Sequence, residues 1–193
     1  MTIRLFLLII AFLSPAVSGA SDSHHSKYAG EENRAIKSLS QSDIEELQRG
    51  GGWGLAKAAE LNGVPGPVHI LEMADKIGLT DAQREQIENL YQQMQREAVA
   101  LGERFIQLEA ALNDAFNDGS ITQLLLEKRV SEIETLRAEL RIVHLSAHLK
   151  TPRILTSDQI ALYNQLRGYG KDPCQNIPEG HNAAMWKQHN GCN

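Results

Sequence analysis

Ile87, Met94, Leu101, Leu108 and Ala115 recur at every seventh residue, and Tyr91, Ala98, Phe105 and Leu112 each stand four residues after one of the first four. An apolar stripe with this spacing, sustained for about four heptads, predicts a long helix with one adhesive edge. Asn117-Asp118-Gly119-Ser120 interrupts it as a polar turn does. A second stripe follows at Leu126, Val130, Ile133, Leu136, Leu140, Val143 and Ala147. Two apolar edges joined by a short turn fold back on each other as an antiparallel helical hairpin. Its first arm is roughly 50 Å long at the rise of an α-helix. The expected fold class is therefore all-α: an elongated antiparallel helical hairpin with short flanking helices.

Helix-start signals divide the rest. Leu79-Thr80-Asp81-Ala82-Gln83 carries a capping box, with Thr80 at the N-cap and Gln83 three residues on. Leu155-Thr156-Ser157-Asp158-Gln159 repeats it, and Ser120 with Gln123 suggests a third box at the start of the return arm. Ser42 with Glu45 marks a short helix through Gln48, closed by the glycines around Trp53, which reads as an anchor in a hinge. Gly66-Pro67 opens another helix and Gly78 stops it. Four main helices are expected, at about 67–77, 80–117, 121–149 and 156–167.

The two ends differ from this middle. Met1 to Ala20 reads as a secretory signal peptide: Arg4, then nine apolar residues from Leu5 to Leu13, then small residues at Ser18 and Ala20. Residues 21–41 are polar without a period and predict a flexible leader. Short helices and the glycine-rich hinge occupy 42–65, the hairpin domain 66–168, and a tail 169–193. Cys174 and Cys192 are the only cysteines. In an exported protein they are expected to close a disulfide loop of about 19 residues, worth roughly 3 kcal/mol; free thiols acting as soft metal ligands are the alternative. The formal charge of −5 and the lack of a basic block argue against nucleic acid. No segment after the leader is apolar enough to insert in a membrane.

Two Leu-Thr-x-x-Gln boxes flanking a long hairpin in an exported chain resemble the Spy/CpxP family, over roughly residues 66–168. That group includes periplasmic chaperones and stress-response regulators, ZraP-like zinc-binding relatives and CnrX-like heavy-metal sensors. The resemblance implies a bent hairpin that forms a homodimer. It also implies a partner that is either unfolded protein or a membrane-bound sensor.

Candidate chemistry lies just ahead of the boxes. His144 and His148 are spaced i, i+4 on one helical face, with Cβ atoms roughly 6 Å apart. His69 precedes the first box with Glu72 and Met73 at i+3 and i+4. An antiparallel hairpin returns 144–148 beside the start of the outgoing arm, where the 67–77 helix ends. These residues are thus expected to converge on one divalent transition metal: Zn, Ni, Co or Cu. The alternative is that the histidines merely edge the helix interface, with His144 on the flank of the buried stripe. In the tail, His181, Met185 and His189 run i, i+4, i+8 and offer a soft N, S, N face; the alternative is a stapled tail docked through Met185 and Trp186. No nucleophile elbow, phosphate loop or HExxH occurs, and the 50–54 glycines follow a helix rather than a strand, so an enzyme is not expected. The chain reads as a periplasmic metal-binding protein, with an ATP-independent chaperone or stress-response regulator as the alternative.

Overall fold

The computed structural model describes residues 26–169, 174, 177 and 180–192. The signal peptide expected at 1–20 lies outside the described residues, as do His24 and His25 of the leader. The described residues fall into two units, one up to Glu32 and one from Asn33 onward. In the first, the Gly30 N–H donates to the Glu32 carboxylate (2.5 Å) and a 3₁₀ turn starts at Glu31.

Among the described residues of the second unit all regular structure is helical: α1 (Gln41–Gln48), α2 (Lys57–Glu60), α3 (Pro67–Glu72), α4 (Asp81–Asn117), α5 (Gln123–Lys150), α6 (Ser157–Leu166) and α7 (Ala183–His189). The long α4 and α5 pack as the expected antiparallel hairpin. No helix among the described residues is long and apolar enough to cross a membrane.

The helix starts show how local chemistry sets the boundaries. Thr80 and Thr156 hold extended backbone at their N-caps; each hydroxyl accepts the N3 N–H, and each N3 Gln accepts the cap N–H in return. The third box is not at Ser120. Its N–H donates to Asp118 (2.9 Å), and the Ile121 N–H returns to Ala115 O (3.1 Å), so the chain is still turning there. Thr122 becomes the cap instead, accepting from the Leu125 N–H, and α5 starts two residues late. The first helix is likewise capped by Ser40 with Asp43 rather than by Ser42 with Glu45. The helix expected through Ile77 ends at Glu72 and continues as turns to Gly78, whose φ of +66° suits glycine.

Two apolar clusters result. The larger lies along the hairpin, where Ala98 and Phe105 of α4 meet Ile133, Leu136 and Leu140 of α5. Ile36, Leu39, Leu47 and Leu55 complete it, so the leader expected to be flexible through 41 is packed from Ile36 on. Lys37 N donates to Asn113 Oδ1 (3.2 Å) and Ser38 Oγ to Glu109 (2.7 Å), fixing that segment along α4. Trp53 is the anchor its setting suggested: its ring meets Phe105 edge-on at 5.4 Å, its indole N–H donates to Asp43 (2.9 Å), and Arg137 lies over it. Gly102 lets α1 come close to α4, because a Cβ there would stand 2.6 Å from the Leu47 carbonyl oxygen. Val130, expected in the stripe, is 42% exposed.

The smaller cluster sits at the base of the hairpin: Ile70, Ile77, Ile87 and Tyr163, with Leu79 and Leu155 from the two boxes packed against it. Each box thus contributes a leucine to this core and a threonine to a cap.

Candidate functional site

Near its base the hairpin borders a partly open cavity of about 510 Å³. His144 and His148 of α5 line it together with His69 of α3, so the antiparallel geometry brings the three expected histidines to one space. It does not bring them into one ligand shell. Among the described residues no group of three or more His, Cys, Asp or Glu side chains is placed to hold a metal ion.

The reason lies in His69. Its Nε2 faces Glu60 Oε1 at 2.9 Å and its Nδ1 faces Glu72 Oε2 at 2.8 Å, so both ring nitrogens are taken up by carboxylates. Glu60 is also within 3.7 Å of Arg167. Met73 does not reach the cavity. With α3 ending at Glu72, Met73 packs against the base cluster of Ile70 and Ile77. The thioether that does line the cavity belongs to Met94 of α4, which is 8% exposed.

His144 is more central than its place in the sequence suggested. Only 3% exposed, it is a member of the buried stripe itself, and its Nε2 is buried without any hydrogen-bond partner. Burial pushes the imidazole below its ordinary pKa, the neighbouring His148 adds to the depression, and Glu46 opposes it. The ring is therefore neutral near pH 7, the form in which a nitrogen lone pair can bind a metal.

His148 is oriented by a backbone group. Its Nδ1 pairs with the Val64 carbonyl at 2.8 Å, which makes Nδ1 the protonated nitrogen and leaves the Nε2 lone pair open. Its Nε2 has no hydrogen-bond partner among the described residues. Gly66 makes this position possible, since a Cβ there would fall 2.5 Å from Nε2. Buried histidines one helical turn apart, one orphaned and one fixed by a carbonyl, form an arrangement suited to a metal ion.

The tail is built differently from the expected N, S, N face. Cys174 and Cys192 form a disulfide, which removes free thiols as ligands. The helix begins at Ala183 behind the Asn182 cap, so His181 lies outside it and meets the edge of Trp186 at 4.9 Å. Met185 and His189 share a helical face, with Met185 70% exposed rather than docked.

Sequence reasoning missed Met94, Glu46, Glu60 and Gly66. Met94 was readable, because it occupies a stripe position that an antiparallel register sets opposite 143–147. Nothing in the local pattern points to the Val64 carbonyl or to the close approach at Gly66.

No curated protein and no solved structure matches the chain. A family model does: it covers residues 68–167, just over half of the sequence, and includes both Thr-Gln boxes and His69, His144 and His148. The chain belongs to the LTXXQ motif family.

Proposed function

We propose that this protein binds a borderline or soft transition-metal ion in the cavity at the hairpin base, through Nε2 of His144 and Nε2 of His148, and so acts in heavy-metal sensing or buffering. The observation that carries the reading is the buried, unpartnered Nε2 of His144 on the same cavity as His148. An orphaned buried nitrogen costs about 1–3 kcal/mol, and a bound ion would offset that cost. His69, Glu60 and Glu72 stand at the cavity wall as a hydrogen-bonded set rather than as ligands.

Coordination has a direct route to the surrounding fold. His148 holds Val64 through Nδ1, so an ion on Nε2 would stiffen the link between α5 and the segment leading into α3. The reading sets the protein in the periplasm. Its support is the signal-like leader at 1–20 and the disulfide, which persists in oxidising compartments.

The test is calorimetric titration of the mature, disulfide-intact protein with Zn, Ni, Co and Cu. One ion per chain at micromolar affinity or tighter, abolished in His144→Gln/His148→Gln with helicity retained, supports the site. Unchanged stoichiometry and affinity in the double variant would sink it.

A second reading, holding of unfolded chains, draws on apolar side chains exposed on α5: Leu124, Ile142 and Leu149 at 80%, 62% and 66%. Ile142 also borders a groove with Leu90 and Val143. Its test is suppression of aggregation of a denatured client. Protection lost in Ile142→Ser/Leu149→Ser supports it, and no protection by the wild type contradicts it.

A further inference from the structure

The donors around the base cavity differ in how far they are already satisfied. Glu46 Oε1 accepts the Trp53 N–H at 3.1 Å, and its Oε2 pairs with Arg49 at 3.4 Å. Glu60 and Glu72 both hold His69. Every carboxylate lining the cavity therefore has a cationic or N–H partner, and His69 has two carboxylates. Of the imidazole and sulfur donors at the cavity, those left over are His144 Nε2, His148 Nε2 and the Met94 thioether.

Resting on the metal-binding reading above, we infer that the ion taken is monovalent copper, held by His144, His148 and Met94. Two imidazoles and a thioether are all neutral ligands. This ligand set itself neutralises none of an ion's charge, so a divalent ion brings two positive charges to it where a monovalent ion brings one. A thioether is a soft donor that favours cuprous ion over zinc, nickel or cobalt. Structural zinc sites draw four ligands from Cys, His and carboxylates, and no group of even three is assembled among the described residues. A d¹⁰ monovalent ion is satisfied by two or three ligands, which is the number on offer.

The test uses the whole mature chain with its disulfide intact. Cuprous ion is supplied anaerobically as its acetonitrile complex against a chromogenic chelator, and zinc is titrated separately. We expect one cuprous ion per chain, bound more tightly than zinc. Met94→Leu, a volume-conserving exchange that cores tolerate, should weaken cuprous binding roughly 10-fold or more while leaving zinc unaffected. X-ray absorption should show copper–sulfur scattering in the wild type and none in Met94→Leu, a readout that mere loosening of the core would not produce. The Cys174→Ser/Cys192→Ser variant should bind copper as the wild type does, which excludes capture by thiols. Copper affinity unchanged in Met94→Leu, loss of binding in the cysteine variant, or zinc bound as tightly as copper would overturn the inference and leave the histidine site standing. If neither ion binds and nickel and cobalt do not bind either, both readings fall together.

Discussion

The side-chain amides of Gln83 and Gln159 hydrogen-bond to each other in both directions, at 2.9 and 3.0 Å. Each Nε2 also donates across to the other box: Gln83 to Ile154 O at 2.9 Å and Gln159 to Gly78 O at 3.1 Å. Those carbonyls lie two residues before Thr156 and Thr80, so the two motifs grip each other symmetrically. The glutamine of each box therefore has two tasks, closing its own helix cap and tying the start of α4 to the start of α6. Gln83→Ala and Gln159→Ala should each cost about 1–2 kcal/mol in urea unfolding, as lost hydrogen bonds leave partners unsatisfied. The double variant should cost less than the sum, with a coupling of about 0.5 kcal/mol or more. Strict additivity would show that the amides do not act as a pair.

Gly102 is the only glycine inside α4. An alanine there would improve helix propensity in isolation, but its Cβ would press on the Leu47 backbone oxygen at 2.6 Å. Because backbone cannot swing aside as a flexible side chain can, the overpacking should win. Gly102→Ala should lower stability by about 1–3 kcal/mol and speed amide exchange in α1. Stabilisation by the substitution would contradict the packing described for α1 on α4.

The hairpin was legible because its two stripes obey a simple period and its turn is polar. Thr80 and Thr156 were legible because a capping box is a local pattern, written within four residues. What was not legible is long-range. Nothing near Gln83 announces Gln159 as its partner, since the pairing depends on how two helix starts meet. Ile36 and Leu39 looked like isolated apolar residues in a polar leader, yet the hairpin offers them a surface that no local pattern records. In the site, the i, i+4 spacing of His144 and His148 was visible, but the burial of His144 was not. The spacing of His69 to Glu72 was visible too. Its meaning depends on Glu60 of α2, which sits on the other ring nitrogen and makes an expected ligand an ion-paired wall residue.

Tyr163 gives a pH dependence with a definite sign. Fully buried and with no hydrogen bond to its hydroxyl, it has its pKa pushed up from 10.0 to about 12 by burial, which the nearby Arg167 guanidinium only partly offsets. Below pH 10 the phenol is protonated in both the folded and the unfolded chain. Above that, the unfolded chain releases the proton and the folded chain keeps it. Stability is therefore lost as pH rises from 10 towards 12, by about 2.5 kcal/mol in all. Tyr163→Phe should remove that alkaline loss and cost little at pH 7, because the hydroxyl is unpartnered there. Matching alkaline profiles for variant and wild type would contradict this account of Tyr163.

The central claim is that a metal ion sits between His144 and His148. Anomalous diffraction at the metal absorption edge, from crystals grown with the ion at one equivalent per chain, tests it most directly. The account predicts one strong peak in the base cavity within about 2.0–2.3 Å of both Nε2 atoms. A peak only at His181, Met185 or His189 of the tail, or a cavity without a peak beside a fully occupied ion elsewhere, would contradict it.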